Sequence, residues 1–494
     1  MQESISRSPV SWALAVAAAA VLAGCAGTGA TAPAMYVPPS GQSGLSPQSA
    51  SAPQSGAASQ SGTAQPGSSA ERTTSSTTAS TSKTAADCLP GAKPASVPAG
   101  GSLGPGKLIA AWGATVGGSA KAPTNGSVRD MAQISLGGTA LRIRLINPDT
   151  ANPLVVCAAY VGLQKSNPGA ALVAGSSRQI TFDHGKPGVT LPPNTPYLYS
   201  DTIAFTVKPQ QIIAVSLYLS ATTAATASNA TWNSSYATAS GAGDETRDES
   251  GASFTSNMSG STFDATFGTG VQEDLVQGST YALAAVDVQT TEANGAVVGL
   301  GSSTFQGYES EQDEYDHILD LLAGDINADI PAGKRKGIVN EGLGGDSLYV
   351  ALPGRFARDV FTQTGVTGVI LYDINDMDPQ NGQTLAQVEA NYKLAVQESH
   401  EHHIRVFCST WAPESVSDLA EITSAERSQI NEWILNSGVC DDTVDWATVL
   451  ADPNVPQTYN PVYFSDSIHP NAAGHAAMAN ATPVTRWFEA GAYP

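Results

Sequence analysis

The stretch Ala296-Val297-Val298-Gly299-Leu300-Gly301-Ser302-Ser303-Thr304 decides how this chain is read. It begins as an apolar run without alternation and ends in a glycine followed by small hydroxyl-bearing residues. Such a run is what a strand buried on both faces requires. The pattern recurs at Gly337-Ile338-Val339, at Val366-Thr367-Gly368-Val369-Ile370-Leu371 and at Ile404-Arg405-Val406-Phe407. Helical spacing lies between the runs. Leu385, Val388, Tyr392, Ala395 and Ser399 share one helix face, and Glu314 to Leu322 can form another helix. Strands alternating with helices imply a parallel sheet with right-handed crossovers. In such sheets sites form at the carboxyl ends of the strands, so chemistry is expected just after each apolar run.

The residues at those places suit one chemistry. The first run is followed by Ser302-Ser303, the second by Asn340-Glu341-Gly342-Leu343-Gly344-Gly345, and the third by Asp373-Ile374-Asn375-Asp376. Near the C-terminus stands Asp466-Ser467-Ile468-His469-Pro470. A serine nucleophile needs a base, the base needs an orienting acid, and the oxyanion needs hydrogen-bond donors. A serine, glycine-bearing turns, an asparagine and an Asp/His pair are the parts of a hydrolase that attacks esters.

In order and context, residues 295–490 resemble the SGNH (GDSL) hydrolase superfamily. The segment before them is similar to the N-terminal β-rich module of certain secreted bacterial members, locally at Ser135-Leu136-Gly137-Gly138. The resemblance implies a flavodoxin-like three-layer α/β sandwich with a parallel sheet, preceded by a β-sandwich domain and a disordered stalk. It implies Ser303 as nucleophile, His469 as general base and Asp466 as the acid that orients it. It further implies an oxyanion site made by the Ser303 amide, the Gly342 amide and the Asn375 side chain, with no metal or organic cofactor. Two positions depart from the family pattern. Ser302 stands where the family has an Asp beside the nucleophile, and Asp373 where it has a glycine. Ser302 is therefore a competing nucleophile, and Asp373 brings a charge toward the oxyanion donors.

Upstream the period changes to two. Leu141-Arg142-Ile143-Arg144-Leu145 and Ile213-Ala214-Val215-Ser216-Leu217-Tyr218-Leu219 alternate as strands with one buried and one wet face do. Turn signals at Asn147-Pro148-Asp149 and Pro192-Pro193-Asn194 punctuate them. Residues 88–294 are read as the β-sandwich module and 295–494 as the hydrolase domain, with Ala221 to Gly270 as a surface excursion.

Residues 1–24 read as a signal peptide. Its apolar stretch, Val10 to Leu22, is too short to span a bilayer, and it ends in Leu22-Ala23-Gly24-Cys25, which looks like a lipobox. Lipidation of Cys25 would anchor an exported protein to a membrane, the outer membrane or cell surface being favoured by Ala26. Residues 25–87 are Ser, Thr, Ala, Gly, Gln and Pro with almost no large apolar side chains, the composition of a flexible stalk.

The whole chain of 494 residues carries 23 Lys and Arg against 44 Asp and Glu, a net charge of −21. That excludes the broad basic footprint of a nucleic-acid binder and a polybasic attachment to anionic lipid. With Cys25 lipidated, four cysteines remain and allow three pairings. Cys408 with Cys440 is favoured within the hydrolase domain, which leaves Cys88 with Cys157.

Several motifs carry less. His400-Glu401-His402-His403 lacks the spacing of zinc hydrolases, and Asp325-Ile326-Asn327-Ala328-Asp329 lacks the glycine and closing glutamate of a calcium loop. Trp112-Gly113-Ala114-Thr115 resembles a serine motif only faintly, since loop rather than helix follows it. The expected function is an exported, lipid-anchored serine ester hydrolase working through an acyl-enzyme. Its substrate is an acylated, for instance acetylated, carbohydrate, or a lipid-like ester. The rival readings are a non-catalytic surface glycan-binding lipoprotein on a degenerate hydrolase scaffold, and an acyltransferase.

Overall fold

The computed structural model describes Cys88 and, with short interruptions, residues 103–256 and 279–494. The signal peptide, Cys25 and the stalk up to residue 87 lie outside the described residues, as does Asn375.

Five strands form a parallel sheet. In spatial order they are Arg335–Gly342, Ala293–Gly301, Val366–Tyr372, Arg405–Ser409 and Asp442–Val444. The chain order is thus 2-1-3-4-5, with the reversal of direction between the first and third strands. That is the doubly wound arrangement in which ligands sit at the carboxyl ends beside the switch point. Val297, Val298, Val369, Ile370 and Val406 are buried, as unalternated strands covered on both faces must be. The helix Leu385–Glu401 opens with a capping box between Thr384 and Gln387 and buries Val388, Tyr392, Ala395 and Ser399. The helix expected from Glu314 instead starts at Ile318 and runs to Asp329. His317 sets this start: its Nδ1 accepts from the amides of Leu319 and Asp320.

Residues 107–290 form two main antiparallel sheets that share one apolar core. One contains Lys107–Gly113, Leu283–Thr290 and Gly138–Asn147, with Thr195–Tyr199 and Ile203–Val207 both paired to the last of these. The other is centred on Gly126–Ile134, Gln211–Leu219 and Leu154–Leu163. The expected excursion is partly sheet. Tyr236–Ala239 pairs with Gly126–Ile134 and with Phe254–Ser256, so this stretch extends the second sheet. Its small Ser, Thr and Ala residues carry no apolar alternation, which is why the pattern did not reveal it. Two disulfides are present, Cys88–Cys157 and Cys408–Cys440, the pairs favoured from sequence.

The two parts are joined without a linker. Leu283–Thr290 leads through Thr291-Glu292 directly into Ala293–Gly301. The strand Lys107–Gly113 lies against Arg335–Gly342 so closely that a Cβ at Gly337 would sit 1.9 Å from the Ala110 carbonyl oxygen. The Ala110 amide donates to Thr364 O at 2.9 Å. Ser135, singled out in the sequence, stitches the same seam. Its Oγ accepts from the Ile338 amide at 3.0 Å and lies 2.6 Å from Ala111 O, while its own carbonyl accepts from Asn327 Nδ2. The alternating strand Leu141–Leu145 therefore has no fully wet face. Leu141, Ile143 and Leu145 are buried as expected, but Arg144 on the opposite face is only 5% exposed. The part built on the parallel sheet covers it, through Thr362 and Glu341.

Candidate active site

The site sits at the carboxyl end of the first parallel strand. Strand Ala293–Gly301 ends and the short helix Ser303–Gln306 begins two residues later, closed by Gly307 in a left-handed conformation (φ 98°). Phe305 anchors this turn. It is fully buried, with its ring centroid 5.6 Å from that of Tyr372 and 6.1 Å from that of Trp446. Ser303, on the first turn, is left partly exposed.

Ser303, His469 and Asp466 come together in a line. Ser303 Oγ lies 2.7 Å from His469 Nε2, and His469 Nδ1 lies 2.5 Å from Asp466 Oδ2. The other Asp466 oxygen accepts from the amides of Ile468 at 3.0 Å and His469 at 2.7 Å. One carboxylate thus shapes its own loop and holds the imidazole, which is how residues three apart meet. Burial alone would raise the Asp466 carboxyl. The hydrogen bonds and charge of His469, with the bonds from the two amides, hold it below its ordinary range instead. With the Nδ1 proton directed at a carboxylate, Nε2 is left with a lone pair for the serine proton. That geometry can generate a serine nucleophile at neutral pH.

Ser302 has no part in this. It is 1% exposed, and its hydroxyl has no hydrogen-bond partner among the described residues. Asp373 does not stand as a loose charge, because its Oδ1 accepts from the Leu348 amide at the start of helix Leu348–Gly354.

The glycine assignment needs correction. The Gly342 amide donates to its neighbour Asn340 Oδ1 at 2.8 Å, so it is already occupied. Gly342 is required for space: a Cβ there would lie 2.2 Å from the Gln306 backbone nitrogen. The loop beyond it bends toward the serine. A Cβ on Gly344 would come within 3.9 Å of Ser303 Cβ, and the Gly344 amide donates to Gln306 Oε1 at 2.9 Å. A turn then closes from the Asp346 amide to Leu343 O, with Gly345 at φ 73°. Among the described residues the Gly345 amide has no protein acceptor, which leaves it the available backbone donor of this loop. Counting glycines in sequence cannot tell which amide a neighbouring side chain will take.

Sequence reasoning also missed the surroundings of His469. The Tyr308 ring lies 4.1 Å from the His469 ring, and its carbonyl lies 3.5 Å from Nε2 of the buried His475. Glu309 follows with a left-handed backbone (φ 62°), uncommon for a side chain of this size. Its carboxyl is pushed above the usual range, first by burial and then by the Asp466 charge. His469 and a hydrogen bond with Ser465 oppose this. When ionised, Glu309 is a second negative charge beside the Asp466–His469 pair. Glu309→Gln removes that charge together with its titration, so the acid limb of the kcat/KM profile is expected to change, and an unmoved limb would disprove the coupling.

The histidine cluster has other partners. His400 pairs with Asp441 at 2.9 Å and stacks on Tyr493, while His402 stacks on Phe361. Trp112 and Gly113 belong to an antiparallel strand, and Thr115 beyond it hydrogen-bonds to Asp359.

Residues 300–477 match the model of the GDSL-like lipase/acylhydrolase family. Solved structures similar to this chain include a GDSL-like lipase from Bacteroides thetaiotaomicron VPI-5482. It is 18% identical, with 38% of this chain and 85% of that one covered and a TM-score of 0.31. An acetylxylan esterase from Geobacillus stearothermophilus is 17% identical, covering 39% of this chain and 94% of its own at a TM-score of 0.31. No curated protein matches the chain. Residues 300–477 form a GDSL-like lipase/acylhydrolase domain, and the protein is a serine ester hydrolase.

Proposed function

We propose that Ser303 is the nucleophile of this hydrolase, His469 its general base and Asp466 the orienting acid. The line Asp466–His469–Ser303, with its contacts of 2.5 and 2.7 Å, carries this reading. His469 Nε2 takes the hydroxyl proton as Ser303 Oγ bonds to the acyl carbon. The carbonyl oxygen gains negative charge and is met by backbone amides of the Ser303 turn and the glycine loop, with Asn375 as side-chain donor. The imidazolium then returns its proton to the departing alkoxide, and the alcohol leaves. Water, deprotonated by the same imidazole, attacks the acyl-enzyme and releases the acid and free Ser303.

The substrate in this reading is a short O-acyl ester, such as acetyl, on a neutral carbohydrate. A net charge of −21 supports the neutral class, since it repels anionic lipid surfaces. The chain is exported and held at the membrane by lipidated Cys25. The Val10–Leu22 run before Leu22-Ala23-Gly24-Cys25 supports this, as do two disulfides in the folded part. The test is kcat/KM on p-nitrophenyl esters of increasing acyl length and acetate release from acetylated xylan. Cell fractionation of Cys25→Ser accompanies it. Falling rates beyond butyrate, released acetate and loss of the variant from the membrane fraction are expected. A rate that rises toward long chains would transfer the enzyme to lipid-like esters.

A further inference from the structure

The seam between the antiparallel sheets and the hydrolase domain contains a buried charge cluster that reaches the catalytic loops. At its centre is Arg355, 6% exposed. Its Nε donates to Asp346 Oδ2 at 2.6 Å, and its Nη1 donates to the Glu341 carbonyl at 2.8 Å and to Asp359 Oδ2 at 3.0 Å. Its Nη2 lies 3.3 Å from the Gly301 carbonyl, which also accepts from the Leu343 amide. One planar guanidinium therefore clamps three places around the nucleophile. Gly301 is two residues before Ser303, Glu341 directly precedes Gly342, and Asp346 closes the turn that holds Gly345.

Two of the residues that hold Arg355, Asp359 and Glu341, are in turn met by side chains on the antiparallel sheets' side of the seam. Thr115 Oγ1 donates to Asp359 Oδ2 at 2.5 Å and accepts from Arg358 Nη2 at 3.1 Å. Arg144 Nη2 lies 3.8 Å from Glu341 Oε1, and its Nη1 donates to Thr362 Oγ1 at 3.1 Å. Gln363 Nε2 also donates to Glu341 Oε1, at 2.6 Å. Three arginines face three carboxylates, nearly all out of water, where removing a single partner shifts the rest.

We propose that Thr115 and Arg144 are positioning residues for ester hydrolysis, acting through Asp359, Glu341 and Arg355 on the backbone around Ser303 and on the glycine loop. The β-rich part is then a structural component of the active site and not a tethered binding module. The proposal rests on the reading of Ser303 as nucleophile. Catalytic geometry tolerates little displacement, so a shift transmitted through Arg355 lowers kcat without weakening substrate binding.

The test measures kcat, KM and Tm of the full soluble chain for Thr115→Val, Thr115→Ser and Val215→Ala, with Ser303→Ala alongside. Thr115→Val is expected to lower kcat about tenfold with KM within about twofold, and Thr115→Ser to restore kcat. Val215→Ala removes buried apolar atoms remote from the cluster, and is expected to lower Tm while leaving kcat unchanged. If Thr115→Val does not fold, Arg144→Lys provides the same comparison. A kcat unchanged in the folded Thr115 or Arg144 variant would overturn the proposal, as would an equal loss in Val215→Ala. Full activity in Ser303→Ala would instead overturn the nucleophile assignment beneath it.

Discussion

Ser303→Ala is expected to lower kcat by on the order of 10⁶-fold, leaving only the residual rate of a site that still binds substrate and its oxyanion. The size follows from what is lost. No acyl-enzyme can form, and His469 Nε2, now 2.7 Å from a vanished hydroxyl, has nothing to deprotonate but water in a poorly placed position. The fold should be untouched, because Ser303 is partly exposed and, among the described residues, its hydroxyl bonds only to His469. Ser302→Ala is the matched control. It removes a buried hydroxyl that has no partner among the described residues, so kcat should hold and stability should stay level or rise slightly. Ester hydrolysis with purified protein checks both. Loss in Ser302→Ala with retention in Ser303→Ala would move the nucleophile by one residue.

Asp466→Asn is expected to cost about 10⁴-fold in kcat at neutral pH with little change in structure. The loop geometry explains why so small a change does so much. Oδ1 must go on accepting from the Ile468 and His469 amides, which pins the carbonyl end of an asparagine there. The NH₂ group then faces His469 Nδ1, where Asp466 Oδ2 now accepts. A donor at that place forces Nδ1 to be the acceptor and puts the ring proton on Nε2, facing Ser303. The imidazole is then the wrong tautomer to take the serine proton. A loss below tenfold would show that Asp466 does not select the tautomer.

The parallel sheet and the three catalytic candidates were legible because their signals are local. Ala296–Leu300 and Val366–Leu371 are unalternated because both faces are covered, and Asp466 and His469 are close in sequence because one turn joins them. The remainder depends on what the fold brings together. Arg144 reads as a wet residue in an alternating strand until a second domain is packed over it. Arg355, just after a proline-bearing helix, has no local signal of its role in the sequence, yet it is nearly enclosed by carboxylates and carbonyls. Gly342 and Gly345 are indistinguishable in composition. Only the position of Asn340 Oδ1 shows that the Gly342 amide is already taken. Glu309 gains its importance from a left-handed turn that no residue preference announces.

The central claim is that Ser303 is an activated nucleophile held by His469 and Asp466. Its most direct test is labelling of the folded protein with a fluorophosphonate, followed by peptide mapping. The account predicts a single adduct on Ser303 that disappears in Ser303→Ala and in His469→Ala. An adduct on Ser302, or no adduct on protein shown to be folded, would contradict it.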